Sequence, residues 1–208
     1  MRAVAGSGSP RDLPPDELDR HLDMLSRLAG GTHANPTVTL ILRAANSGPA
    51  KALIALKDDL TRAGVSAKAI LAKLEPEEDL RQLFASLSML APHTPATELL
   101  RFARNPRLHD AHEQASYGET MCWSGDAMRR DAERRNVLTQ FHDDAPDRAR
   151  LARLAFTALW TASSPVPARH LRGDLTSLPL GEYQRTQEPP VAVSPLRPSP
   201  QGWPLIRH

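Results

Sequence analysis

One cysteine, Cys122, in 208 residues excludes an internal disulfide, and no Cys/His spacing matches a zinc site, so no metal is expected. That usage implies a reducing, cytoplasmic setting. The opening MRAVAGSGSPRD lacks an apolar run long enough for a secretory signal, and no stretch approaches a membrane span, so no membrane partner is expected. A strong charge of either sign is also missing: 26 Lys and Arg against 24 Asp and Glu leave +2. Residues 1–36 sum to −1, residues 37–125 to 0, residues 126–172 to +3 and the remainder to 0. The basic excess thus sits on one region, which leaves nucleic acid open as a partner without favouring it. The sequence pI near 9.0 adds little, because an Arg-rich chain close to neutrality titrates late. Long-period repeats and a complete catalytic signature are absent, and no cofactor is implied.

What is present fills one core: 40% of the residues are hydrophobic, enough for one domain with appendages. A flexible lead of small residues and Pro runs to Pro15, and a short amphipathic helix follows over residues 16–29, with Leu18, Leu22, Leu25 and Leu28 on one face and Gly30-Gly31 as its stop. Packing as a brace on the main domain is the simpler use of that face; docking a partner is the other. Residues 37–42 form a β-branched apolar run fit for a buried strand. Ser47-Gly48-Pro49 opens a helix carrying Ala52, Leu53, Leu56 and Leu60, closed by Gly64. Residues 65–74 read as a second strand, and Glu75-Pro76-Glu77-Glu78 starts a helix burying Leu80, Leu83, Phe84 and Leu87. A third strand is expected at 98–103. Strand, helix, strand, helix, strand predicts an α/β fold, an open, mostly parallel sheet flanked by helices. A later helix over 146–162 is expected to bury Leu151, Leu154, Ala155, Ala158 and Leu159 and to hold Arg148, Arg150 and Arg153 on its polar side. From Ser163 the composition changes. Nine of the 19 Pro fall between 165 and 208, which predicts a disordered Pro-rich tail. Its P-L-R-P at 195–198 has the form of a polyproline ligand, a match that arises readily in such composition. The expected division is therefore a lead and N-terminal helix over 1–36, an α/β domain over 37–164, and the tail over 165–208.

The densest chemistry lies in residues 107–135, RLHDAHEQASYGETMCWSGDAMRRDAERR. Its middle alternates like a hairpin, with arms at 111–117 and 119–123 about Gly118, and Ser124-Gly125-Asp126 reads as a turn that ends the second arm and caps a helix at Asp126. His109 and His112 with Asp110 and Glu113 contain metal-ligating residue types, but strand alternation puts positions 109 and 112 on opposite faces, and turn polarity is the simpler account. Cys122 has no basic neighbour in sequence to lower its pKa, which favours a buried strand thiol over a nucleophile. Trp123 reads as core before it reads as a stacking platform. The N–H groups at Ser124-Gly125-Asp126 can hold an anion, although Asp126 repels one. Arg129 and Arg130 can grip phosphate, with Arg130 and Arg134 one helical turn apart. Asp131 and Glu133 lie within helical reach of these arginines, so a self-neutralised solvated face is the stronger reading.

Element order and hairpin together resemble one half of a phospholipase D-like domain over residues 37–135. That family carries H-x-K-x4-D on a hairpin and G-S-x-N at the following helix start. Here His112 stands at the His position, Gln114 at the Lys, Glu119 at the Asp, Gly125 at the Gly, Asp126 at the Ser and Met128 at the Asn, with the gap between the motifs one residue short. Gly64-Val65-Ser66-Ala67-Lys68 is similar to the family's entry into its second strand. The resemblance implies His112 as the catalytic residue if the chain is active, and Gln114, Glu119, Gly125, Asp126, Arg129 and Arg130 as a set facing a phosphate-bearing ligand. In the family His attacks phosphorus and Lys neutralises the phosphate oxygens, a stabilisation worth several kcal/mol. Gln114 brings no charge, and two motifs must face each other where this chain has room for one. The resemblance therefore implies a non-catalytic module for a phosphate-bearing ligand or a protein partner. Its alternative is a phosphodiesterase or nuclease acting as a homodimer through His112.

Overall fold

The computed structural model describes residues 15–32, 36–103, 112–126 and 139–171. The chain runs α1 (Pro15–Gly30), β1 (Thr37–Leu42), α2 (Gly48–Ala55), α3 (Lys57–Arg62), β2 (Ser66–Leu71), α4 (Glu77–Leu90), a 3-10 turn (Ala96–Glu98), β3 (Leu100–Phe102), β4 (Glu113–Tyr117), β5 (Met121–Gly125), β6 (Thr139–His142), α5 (Pro146–Ala162), β7 (Ser164–Pro165) and α6 (Ala168–Leu171). The lead before residue 15, His109, Met128 and the arginines at 129, 130, 134 and 135, and the chain beyond 171 lie outside the described residues.

The strands form one sheet in the order β6-β5-β4-β1-β2-β3-β7. It is an α/β sheet, open and flanked by helices as the alternating periods predict, but it is mixed rather than mostly parallel. β1 with β2 and β2 with β3 are parallel; β1 with β4, β4 with β5, β5 with β6 and β3 with β7 are antiparallel. Connection length explains the difference. Helices α2, α3 and α4 supply the crossovers a parallel pair needs, whereas β4 and β5 are joined through Gly118-Glu119-Thr120, which permits only an antiparallel return.

Alternation along the strands sorts two faces. Val38, Leu40 and Leu42 of β1, Ala67, Ala69 and Leu71 of β2, and Ala115, Tyr117, Met121 and Trp123 of the hairpin join the large core under α1 to α4. Ile41, Ile70 and Cys122 face the other way, toward α5. Met24, Leu25 and Leu28 of α1 belong to the same core as the strands. The inward stripe of that helix also includes Glu17 and His21, while Leu18 and Leu22 are only half-buried.

Three local expectations are corrected. α5 buries Ala149, Ala152 and Phe156, and leaves Leu151 and Leu154 exposed at 65% and 56%. Ala149 and Ala152 pack against Cys122, and small side chains let the helix approach the sheet closely; the leucines fall on its outer side. Gly125 is the last residue of β5, paired with Glu113, not a turn. The change of composition at Ser163 does not end the fold, because β7 extends the sheet beside β3 and α6 follows. A two-residue edge strand tolerates Pro165, which has no ladder bond to donate. β6 has no counterpart among the expected strands.

Two glycines hold the left-handed backbone, Gly64 at φ 67° and Gly118 at φ 70°. A Cβ at Gly64 meets nothing within 4 Å, whereas one at Gly118 falls 2.8 Å from Leu28 Cδ1 of α1. Gly64→Ala should therefore cost about 1 kcal/mol from backbone strain alone. Gly118→Ala should cost about 2–3 kcal/mol, because a buried leucine must also shift. Urea unfolding of both variants checks the ranking; equal losses would mean that Leu28 yields freely.

Candidate functional site

The carboxyl ends of β1, β2 and β3 share one edge of the sheet with the start of β4 and the end of β5. β1 is the strand at which pairing changes from parallel, toward β2, to antiparallel, toward β4. In open α/β sheets ligands bind outside the strand ends, at such a switch point. Here the edge carries Arg43 and Ser47 after β1, His112 and Glu113 at β4, and Gly125 and Asp126 at β5.

Glu113 is a buried acid of this edge that accepts two hydrogen bonds. It is 3% exposed, and its Oε1 accepts the Arg43 backbone N–H at 2.7 Å and the Ser47 hydroxyl at 3.0 Å. Ser47 is the N-cap of α2 and makes no side-chain cap within its own helix. Its hydroxyl proton is shared with the Ala44 carbonyl at 2.8 Å. Glu113 thus places a carboxylate at the positive end of α2 from a strand far away in sequence. Burial pushes its carboxyl up to about 6, against the Arg43 amide and the Ser47 hydroxyl, which favour the anion; the negative charge of Glu17 adds to the rise. The start of α2 therefore holds an internal anion that sheds its charge in mild acid.

Cross-strand from Glu113 lies Gly125. A Cβ on Gly125 would fall 2.5 Å from Trp123 Cζ2 and 2.7 Å from Cη2, so glycine is needed for the indole to lie over the strand end. Trp123 is buried in the core, and its Nε1–H donates to Thr139 Oγ1 of β6 at 2.6 Å.

The residues singled out by sequence are only partly assembled. His112 is exposed, one residue ahead of β4 and hence beside the Glu113–Gly125 pair. Gln114 faces the α5 side, half-buried, with an amide oxygen that is buried and accepts no hydrogen bond. Asp126 is buried directly after β5. Glu119 is not with them: it sits exposed in the β4–β5 turn, at the other end of a five-residue strand and so about 17 Å away. Arg129 and Arg130 lie outside the described residues. Cys122 is buried, and burial pushes its thiol up against the opposing pull of Arg148, the state of an inert strand thiol. Among the described residues no group of three or more His, Cys, Asp or Glu is placed to hold a metal ion.

Arg43, Ser47 and Glu113 escape the sequence reading as a unit, since 66 residues separate Ser47 from Glu113. The one available signal was Ser47-Gly48-Pro49, a helix start whose cap came from elsewhere. No protein-family model and no curated protein matches the chain. It is similar to a chain of the solved structure described as "Structure of TrmBL2, an archaeal chromatin protein, shows a novel mode of DNA binding", at 17% identity and a TM-score of 0.44, over 73% of this chain and 51% of that one. The present chain thus spans about half the length of that protein's chain. No helix among the described residues is long and apolar enough to cross a membrane.

Two outcomes follow from this geometry. The folded carboxyl of Glu113, at about 6, lies above its ordinary value of 4.5, so its contribution to stability is full below pH 4.5 and is lost as pH rises through 6. Glu113→Gln keeps an oxygen acceptor and removes the charge. The stability difference between variant and wild type should move in favour of Gln by about 2 kcal/mol from pH 4.5 to pH 7.5. Parallel pH curves in urea titrations would refute a buried charge at this position. Gly125→Ala, at a backbone with no positive φ, should destabilise by about 3 kcal/mol through displacement of the indole alone, and the extra Trp123→Leu exchange should recover part of that loss.

Proposed function

We propose that the chain is a non-catalytic phospholipase D-like module that binds a phosphate-bearing ligand or a protein partner at the strand ends around His112. The observation that carries this reading is the position of His112: exposed, next to the Glu113–Gly125 pair, at the strand ends beside the parallel-to-antiparallel switch. Strand alternation extended one residue back puts His112 on the side of Gln114, the relation that the His and Lys of the family motif have. The departure from an enzyme lies at the same place. Gln114 brings no cation to a phosphate whose negative charge grows in the transition state.

Nucleic acid is the less favoured partner, and the reason lies on α5, away from the strand ends. Two of the three arginines expected on the polar side of α5 are engaged: Arg148 donates to His142 Nε2 at 2.7 Å, and Arg153 donates to the Gly118 carbonyl at 2.7 Å.

The test pairs binding with turnover. Inorganic phosphate and a short phosphodiester are titrated while the His112 ring signal is followed by NMR, and hydrolysis of an activated phosphodiester is assayed in parallel. The expected result is a His112 shift that saturates, with turnover at background for the wild type and at most a trace for Gln114→Lys. Hydrolysis by the unmodified protein, abolished in His112→Ala and tracking a dimer by light scattering, would establish the homodimeric phosphodiesterase instead.

A further inference from the structure

The first half of α1 covers a buried polar cluster that the strand-end site does not use. His21 is 0% exposed between α1 and the sheet. Its Nδ1 lies 2.7 Å from the Tyr117 hydroxyl of β4. The ring meets Trp123 of β5 edge-on at 4.8 Å and Phe141 of β6 at 4.8 Å. Its Nε2 lies 3.7 Å from Glu17 Oε1 and makes no hydrogen bond. The charged and titratable groups around it are Glu17 and Arg20 from α1 and Tyr117 from β4, with Glu113 of β4 coupled through Glu17. Arg20 places its guanidinium 4.1 Å over the Phe141 ring.

Proton placement in this cluster is constrained. Burial holds the Tyr117 phenol well above its ordinary range, so it stays a neutral O–H group. With that O–H donated to Nδ1, the neutral imidazole carries its own proton on Nε2, toward Glu17. A second proton must go to Nδ1. Nδ1 then no longer accepts, the Tyr117 proton loses its acceptor inside the core, and a cation forms among aromatic rings. The carboxylate of Glu17 at 3.7 Å is its only close counter-charge in the cluster. Desolvation outweighs that attraction, and Arg20 opposes the added charge, so His21 is held below its ordinary value of 6.5.

We propose that His21 is a proton-sensitive latch: a proton on its imidazole undocks α1 from β4, β5 and β6, and loosens the Trp123 indole that lies over Gly125 at the strand-end site. The connection is direct packing. His21 touches Trp123, and the Trp123 ring occupies the space a Gly125 side chain would need. An imidazole freed into water takes up a proton near pH 6.5, whereas the docked one refuses it. The contribution of His21 to docking is present above pH 6.5 and is lost as pH falls. Between pH 7.5 and 5.5 the undocked population therefore rises, with about tenfold as the ceiling set by the free imidazole.

Hydrogen exchange on the full chain, corrected for intrinsic rates, reads this without reference to any ligand. Protection of α1 should fall more than that of α4 between pH 7.5 and 5.5, by up to about tenfold, with β5 following in part. His21→Phe keeps a ring against Trp123 and removes the titrating group, so the pH response of α1 should vanish. Loss of α1 protection in step with α4, or an undiminished pH response in His21→Phe, would overturn the latch. If His21→Phe does not fold, ring-labelled histidine in the wild type decides. The latch requires a docked His21 that titrates below the free imidazole; a docked His21 that titrates at about 6.5 or above with α1 protection intact would overturn it.

Discussion

The contact on which the rest of this molecule depends is the Trp123 indole folded over Gly125. Elements on several sides of the strand-end site meet at that pair. Gly125 is the cross-strand partner of Glu113, and Glu113 accepts from the Arg43 amide and the Ser47 hydroxyl just ahead of α2. Trp123 carries His21 of α1 on one side and donates to Thr139 of β6 on the other. A side chain at position 125 would displace the ring, and with it the surface that α1 packs against. Hydrophobic burial therefore fixes the placement of the polar groups here: the acid, the hydroxyl and the imidazole stand where they do because an aromatic ring fills the space beside them.

How much of this was legible in the sequence depends on the kind of signal each segment carries. From residue 37 to residue 102 the two periods alternate cleanly, and β1, the helical stretch closed by Gly64, β2, α4 and β3 all follow from them. Even there the stretch after Ser47 divides into two helices at Leu56, which periodicity does not show. Strand order was not legible, because alternation gives faces and not neighbours. A strand–helix–strand run fixes its own parallel pairings, while β4, β5, β6 and β7 attach by antiparallel returns that a count of elements does not distinguish. β6, TQFH, escaped because a short edge strand with exposed Thr139 and Gln140 has no apolar run to reveal it.

The errors on helices share one cause. Leucines mark the hydrophobic side of α1 and α5 by composition, but close approach to a sheet selects for volume. On α5 the alanines at 149 and 152 reach Cys122 and the leucines at 151 and 154 do not. On α1 the inward stripe passes through Glu17 and His21, residues that a hydrophobicity count assigns to solvent. The pattern fails at His21 because its polar ring is met in the third dimension, by the Tyr117 hydroxyl. Gly125 was singled out for the right residue type and the wrong reason. A glycine inside a strand can mark a turn or a close approach, and only the partner, here an indole two residues back, decides between them.

The same burial that assembles the cluster narrows the ordinary gap in protonation between an acid and an imidazole. In water a histidine takes its proton some two pH units before a glutamate does. Here burial pushes Glu113 up to about 6 and holds His21 below 6.5, so the intervals in which the two titrate draw together. Their effects on the folded state oppose each other. A proton on Glu113 removes a charge that burial penalises and leaves its oxygen able to accept from Arg43 and Ser47. A proton on His21 creates such a charge and removes the acceptor for Tyr117. Mild acid thus strengthens the attachment of β4 to α2 while it weakens that of α1 to β4. Because Glu17 acts on both groups, raising each, the two attachments are joined by one carboxylate. In a net stability curve the two effects offset each other in part, so the separate motions of α1 and the β4 edge are the quantities that report them.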